Sequence, residues 1–152
     1  MAEESKPGRR ISSGVIRRIL VGYDGSNEAH RALRIARSLA ADVNGDVHVL
    51  SVITPRAHAE TTDERQRAIE EELARLSKFL ENLEVMDGRE KTPVAHVLDD
   101  DEPAEAIAEF AREHGFDLVV IGTHGTDQIM HRGFGRSLEV LIKLHPCPLL
   151  VV

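Results

Sequence analysis

Short apolar runs and helix-period segments take turns along almost the whole chain, and that alternation restricts the fold more than any other feature. The runs IRRILVGY (16–23), DVHVLSVI (46–53), Thr92 to Leu98, Leu118 to Gly122 and Leu149 to Val152 predict five strands. Between them, apolar residues recur at steps of three and four. Ala29, Ala32, Leu33, Ala36, Leu39 and Ala40 mark a first helix; Ile69, Leu73, Leu76, Leu80 and Leu83 draw a stripe along a longer second one. Ala104, Ile107, Ala108 and Ala111 mark a third, and a fourth is expected from about Arg136 to Leu144. Strands that alternate with helices this way demand a parallel sheet covered on both faces. Right-handed crossovers then make a doubly wound layout the natural one. The expectation is a single-domain α/β, Rossmann-like fold with five parallel strands in the order 3-2-1-4-5. Such a sheet binds ligands outside the carboxyl ends of its strands, where the chain reverses between strands 1 and 4.

Local punctuation agrees with this division. Ser26 can cap the first helix, and Asn44-Gly45 can end it, because both tolerate the left-handed conformation. Thr61 and Glu64 have capping-box spacing, after a linker over Thr54 to Glu60 that holds Pro55. Met86 to Lys91 reads as a turn. The acidic run Asp99 to Glu102 reads as a helix start, with Pro103 in the first turn and acids complementing the dipole; a metal site of clustered carboxylates is the other reading. Gly115 closes that helix. Residues 1–15 (MAEESKPGRRISSGV) read as a flexible tail, which leaves 16–152 as the domain.

Composition removes several function classes. A net charge of -7 argues against binding to nucleic acid or an anionic membrane, both of which need a basic surface. With no Trp and one Tyr, stacking platforms for single strands are absent. No stretch is long enough to span a membrane, and no charged-then-apolar leader opens the chain. The lone cysteine, Cys147, excludes an internal disulfide, so a cytoplasmic location is expected. Set between prolines, Cys147 reads as a small packed residue. The eight histidines show no HExxH or comparable spacing, which argues against zinc.

What remains is the stretch LVVIGTHGTDQIMHRGFGRSLE (118–139), which spreads Gly122, Gly125, Gly133 and Gly135 between a strand and a helix. Glycine lets main-chain N–H groups approach a bulky ligand, and the helix start beyond adds unpaired donors, so the local reading is a phosphate cradle. Gly22-Tyr23-Asp24 and Gly122-Thr123-His124-Gly125 end the two strands that flank the expected crevice. There is no GxxxxGK[ST] and no GxGxxG after a strand, so neither a P-loop nor a dinucleotide site is supported. Only one acid, Asp24, follows the first strand, and the last has no Lys, which argues against a response-regulator phosphorylation site. His124 reads as loop structure, since no nucleophile accompanies it, and His131 and Arg132 as solvated loop positions or phosphate contacts.

After the tail, the sequence resembles the universal stress protein family over essentially its whole length. The matching pieces are ILVGYDGS (19–26), DVHVLSVI (46–53), EPAEAIAEFA (102–111), DLVVIGTHG (117–125), the spacing Gly122-x2-Gly125-x9-Gly135 and the terminal PCPLLVV. The resemblance implies an adenine nucleotide, ATP or else AMP or ADP, over the reversal point. Carried over by position, Gly122, Gly125 and Gly135 bring backbone close to ribose and phosphates, with Thr123 inside the first glycine pair. Asp24 reaches ribose hydroxyls or a nucleotide-bound Mg, Val52 meets the adenine through its backbone, and Gly22 lines the pocket floor. The resemblance also implies a homodimer through the C-terminal strand, 148–152.

The chain departs from the family pattern where Arg136 stands in place of Ser or Thr and Leu138 replaces another commonly hydroxylated position. Arg136 either forms charge-assisted bonds to phosphate or fills the space and pairs with an acid such as Glu139. Ser137 is the neighbouring hydroxyl and joins the candidate set. The expected function is an ATP-binding, dimeric stress-response module without catalytic residues. The alternatives are an interaction module with an empty crevice and, third, a slow ATP hydrolase.

Overall fold

The computed structural model describes residues 15–54, 61–87, 91–123, 136–144 and 146–152. The tail over 1–14, most of the linker and the loop carrying His124, Gly125, His131, Arg132, Gly133 and Gly135 lie outside the described residues, as do the side chains of 84–87, Arg136 and Ser137.

Nine elements alternate in chain order: β1 (Arg18–Gly22), α1 (Asn27–Val43), β2 (Asp46–Ile53), α2 (Thr62–Asp87), β3 (Val94–Asp99), α3 (Pro103–Glu113), β4 (Leu118–Ile121), α4 (Arg136–Leu144) and β5 (Leu149–Val151). The strands form one sheet in the order β3-β2-β1-β4-β5, as expected, and every pairing is parallel. Successive side chains of β1 feed opposite faces. Ile19 and Val21 join α1 and α2 on one side, while Leu20 joins α3 and α4 on the other. Because both faces are covered, the central strands are apolar throughout instead of alternating.

The caps act where the sequence places them. The Ser26 hydroxyl accepts from the Ala29 N–H (3.1 Å), and Asn44 ends α1 with φ at 52°. Thr61 and Glu64 exchange both bonds of a capping box at 3.2 Å. At the acidic run, Asp100 Oδ1 accepts from the Glu102 N–H (2.8 Å) and Pro103 opens α3, a helix start. No group of three or more His, Cys, Asp or Glu able to hold a metal occurs among the described residues.

Two expectations need correction. The α2 helix continues to Asp87, through the start of the expected turn. Its apolar stripe is core only in part: Leu76 and Leu80 are fully buried, but Leu73 is 38% exposed. The cause is length. A helix of 26 residues runs ~39 Å, whereas the eight residues of β2 run ~26 Å, so the first turns of α2 overshoot the sheet.

At the foot of the sheet, opposite the carboxyl ends, Asp117 Oδ2 accepts from the main-chain N–H groups of Arg17 (3.0 Å) and Arg18 (2.8 Å). This joins the starts of β1 and β4. Beside it, His48 of β2 stacks on His96 of β3, between Phe116 and Phe110.

Candidate functional site

The register puts the expected crevice residues side by side. Val21 pairs with Val120, so Gly22, Tyr23 and Asp24 leave β1 next to Ile121, Gly122 and Thr123 leaving β4. Gly22 pairs with Leu50 on the other side, which sets Val52 at the level the chain reaches at Asp24. Val52 is half-buried and packs with Leu98 on the α3 side of the sheet. A planar apolar ring would meet carbon there.

The β1–α1 turn is held by local bonds. Asp24 is exposed, and its Oδ1 accepts from the Ser26 N–H at 2.9 Å. Gly25 adopts φ of +82°, which a side chain would strain. Tyr23 keeps its main-chain bond to the Leu50 carbonyl (2.9 Å) and turns its ring towards α1 and α2, stacking on Phe79 and reaching His30 Nε2 at 3.2 Å. Burial raises the Tyr23 phenol above its ordinary pKa. The exposed carboxylate of Asp24 thus stands at the mouth on a rigid base.

The glycines on β1 and β4 have packing reasons of their own. A Cβ on Gly22 would sit 3.1 Å from both Ile107 and Ile121, so glycine lets α3 close on the sheet. A Cβ on Gly122 would fall 2.5 Å from Glu28 Cβ and 3.1 Å from its carbonyl carbon. The first turn of α1 therefore lies directly against this glycine. The Thr123 N–H donates to the Val152 carbonyl (2.9 Å), and the Val152 N–H donates to that of Ile121 (2.9 Å). Thr123 thereby ties the crevice rim to the last strand, and its main-chain donor is occupied.

Of the remaining candidates, Gly125 and Gly135 lie outside the described residues. Arg136 and Ser137 form the first turn of α4. Leu138 is 3% exposed and belongs to the core on the α3 side, which explains an apolar residue at that position. Cys147 is half-buried, and burial together with the nearby Asp117 carboxylate pushes its thiol up to about 11. It is a packed residue rather than a nucleophile.

Sequence reasoning missed a polar cluster on the α2 side. The Ser51 hydroxyl donates to Glu72 Oε1 (2.9 Å), and Arg75 grips the same carboxylate through Nε at 3.0 Å and Nη2 at 2.7 Å. Its signals were a serine inside an apolar strand and an acid and base three apart on a helix. No helix of the described residues is long and apolar enough to cross a membrane.

Comparison with known proteins returns one family. The model of the universal stress protein family matches residues 16–152. A universal stress protein of Thermus aquaticus is 28% identical over 134 residues, spanning 88% of this chain and 96% of that relative. Among solved structures, a universal stress protein family member from Burkholderia pseudomallei is 26% identical with a TM-score of 0.64, covering 89% of this chain and 94% of its own. The Archaeoglobus fulgidus universal stress protein in complex with dAMP shares the fold at 22% identity and a TM-score of 0.57, covering 90% and 97%.

Proposed function

Because the chain belongs to the universal stress protein family, we propose that the crevice between β1 and β4 binds an adenine nucleotide, ATP foremost, and that occupancy rather than turnover is the output. The observation that carries this reading is the register that sets Gly22-Tyr23-Asp24 beside Gly122-Thr123 at the reversal of the sheet. Val52 and Leu98 offer an apolar seat for the base. Asp24 addresses the ribose or the Mg carried by the phosphates. Gly125, Gly135 and the first turn of α4 complete the phosphate end, where Arg136 binds phosphate by charge-assisted bonds and Ser137 adds a hydroxyl. The dAMP complex of the Archaeoglobus fulgidus relative supports this choice of ligand class.

The working unit in this reading is a cytoplasmic homodimer of residues 16–152. β5 is an edge strand, and Val151 (37%), Ile142 (45%) and Leu144 (40%) leave apolar surface open beside it. An unpaired edge of this kind recruits a second copy. One observation favours the alternative, an interaction module with an empty crevice: Glu28 closes on Gly122 and the Thr123 N–H is already engaged. Denaturing the purified protein and identifying the released nucleotide separates the two. Nucleotide in the supernatant, or heat on titrating ATP with magnesium, supports the binder; neither signal leaves the interaction module.

A further inference from the structure

A groove of about 620 Å³ runs along α1 towards α2, separate from the β1–β4 crevice. Asn27, His30, Arg31, Arg34 and Arg37 line it from α1, and Leu83 forms part of the α2 bank. Three guanidinium groups on successive turns face one acid in the lining, Glu28, so the groove is positive on a chain whose net charge is -7. Arg37 is 5% exposed and forms the floor, while Arg31 and Arg34 are exposed. Among the described residues, neither Arg31 nor Arg34 pairs with a carboxylate.

We propose that this groove is a second binding site, for a small phosphate-bearing polyanion about as long as a triphosphate, held by Arg31 and Arg34. The guanidinium fork matches phosphate oxygens two at a time, and side chains three apart on a helix are neighbours, so one short anion reaches both. The volume lies in the range of small-molecule sites. An extended acidic peptide fits less well. It would bring its own main-chain N–H and C=O groups, and both banks are helices whose backbones are bonded internally. Long polyanions such as nucleic acid are repelled by the surrounding acidic surface. The floor also touches the crevice rim, since His30 meets Tyr23, the residue before Asp24.

Calorimetric titration with sodium tripolyphosphate at low salt tests the assignment. The expected result is one site per chain, weakened about tenfold or more in Arg31→Ala/Arg34→Ala and unchanged in Asp24→Ala. Alanine raises helix propensity at exposed positions, so the double variant folds. Absence of binding, binding indifferent to the two arginines, or binding lost in Asp24→Ala overturns the proposal. So does a hexaglutamate peptide that binds more tightly than tripolyphosphate through the same arginines. None of these outcomes depends on whether the crevice takes ATP.

Discussion

Nδ1 of His48 lies 2.8 Å from Nε2 of His96, and the two rings are nearly parallel at 9° with centroids 5.1 Å apart. One nitrogen of this pair donates and the other accepts, so the contact is satisfied only while at least one ring is neutral. Burial pushes His48 down to about 4, and the neighbouring His96, Arg18 and His114 add to this against the opposing pull of Asp46. His96 is lowered too, by burial first and then by His114 and Arg18.

The sign of the pH effect follows. Between pH ~6.5 and about 4 the unfolded chain takes up a proton on His48 that the folded chain resists, so stability rises with pH across this window and is lost as pH falls. Full linkage would be ~3 kcal/mol; screening at a half-exposed ring reduces it to about 1–2 kcal/mol. Urea unfolding at pH 7.5 and 4.5 measures it, and His48→Leu should flatten the slope. A wild-type midpoint that does not move between these pH values rules the linkage out.

Gly122→Ala should destabilise the protein by about 1–3 kcal/mol, because the new methyl meets Glu28 Cβ and main chain. Shortening the neighbour to Glu28→Ala leaves that Cβ in place and should not rescue the loss. Denaturant midpoints of the single and double variants check both statements. Recovery in the double variant would show that the far end of the glutamate was the obstacle.

Asp24→Ala should weaken ATP binding about tenfold, and removing its bond to the Ser26 N–H should cost under ~1 kcal/mol of stability. Arg136→Ala should weaken ATP more than adenosine, since only the former has phosphates for a guanidinium to meet. Titration of each variant with both ligands reads this directly. Tighter ATP binding in Arg136→Ala would mean that the arginine obstructs.

Val151→Arg should convert a dimer to monomers while leaving the fold intact, because this side chain is exposed on the edge strand. Light scattering coupled to size exclusion gives the mass. A variant that stays dimeric places the interface elsewhere.

The fold was legible because strand and helix periods were unmixed and the caps lay at Ser26, Asn44 and Thr61. Periodicity also anticipated the two-sided sheet. It could not anticipate that Leu73 leaves the core, since a stripe says which face of a helix is apolar, not where the neighbouring sheet stops. The crevice was legible as two strand ends meeting at the reversal. The reason for Gly122 was not: only packing reveals that Glu28 presses on it. The histidine pair was invisible for a similar cause, since 48 positions separate His48 from His96 and only strand register joins them.

The overshoot of α2 has a consequence for how the molecule comes apart. Beyond the sheet this rod is a cantilever, kept helical by the Thr61–Glu64 box and side-chain pairs such as Gln66–Glu70 (3.2 Å) rather than by burial. Amide exchange should therefore grade along it, quick near the capped tip and slow by Leu80, so that warming frays this single helix from its free end before either core yields.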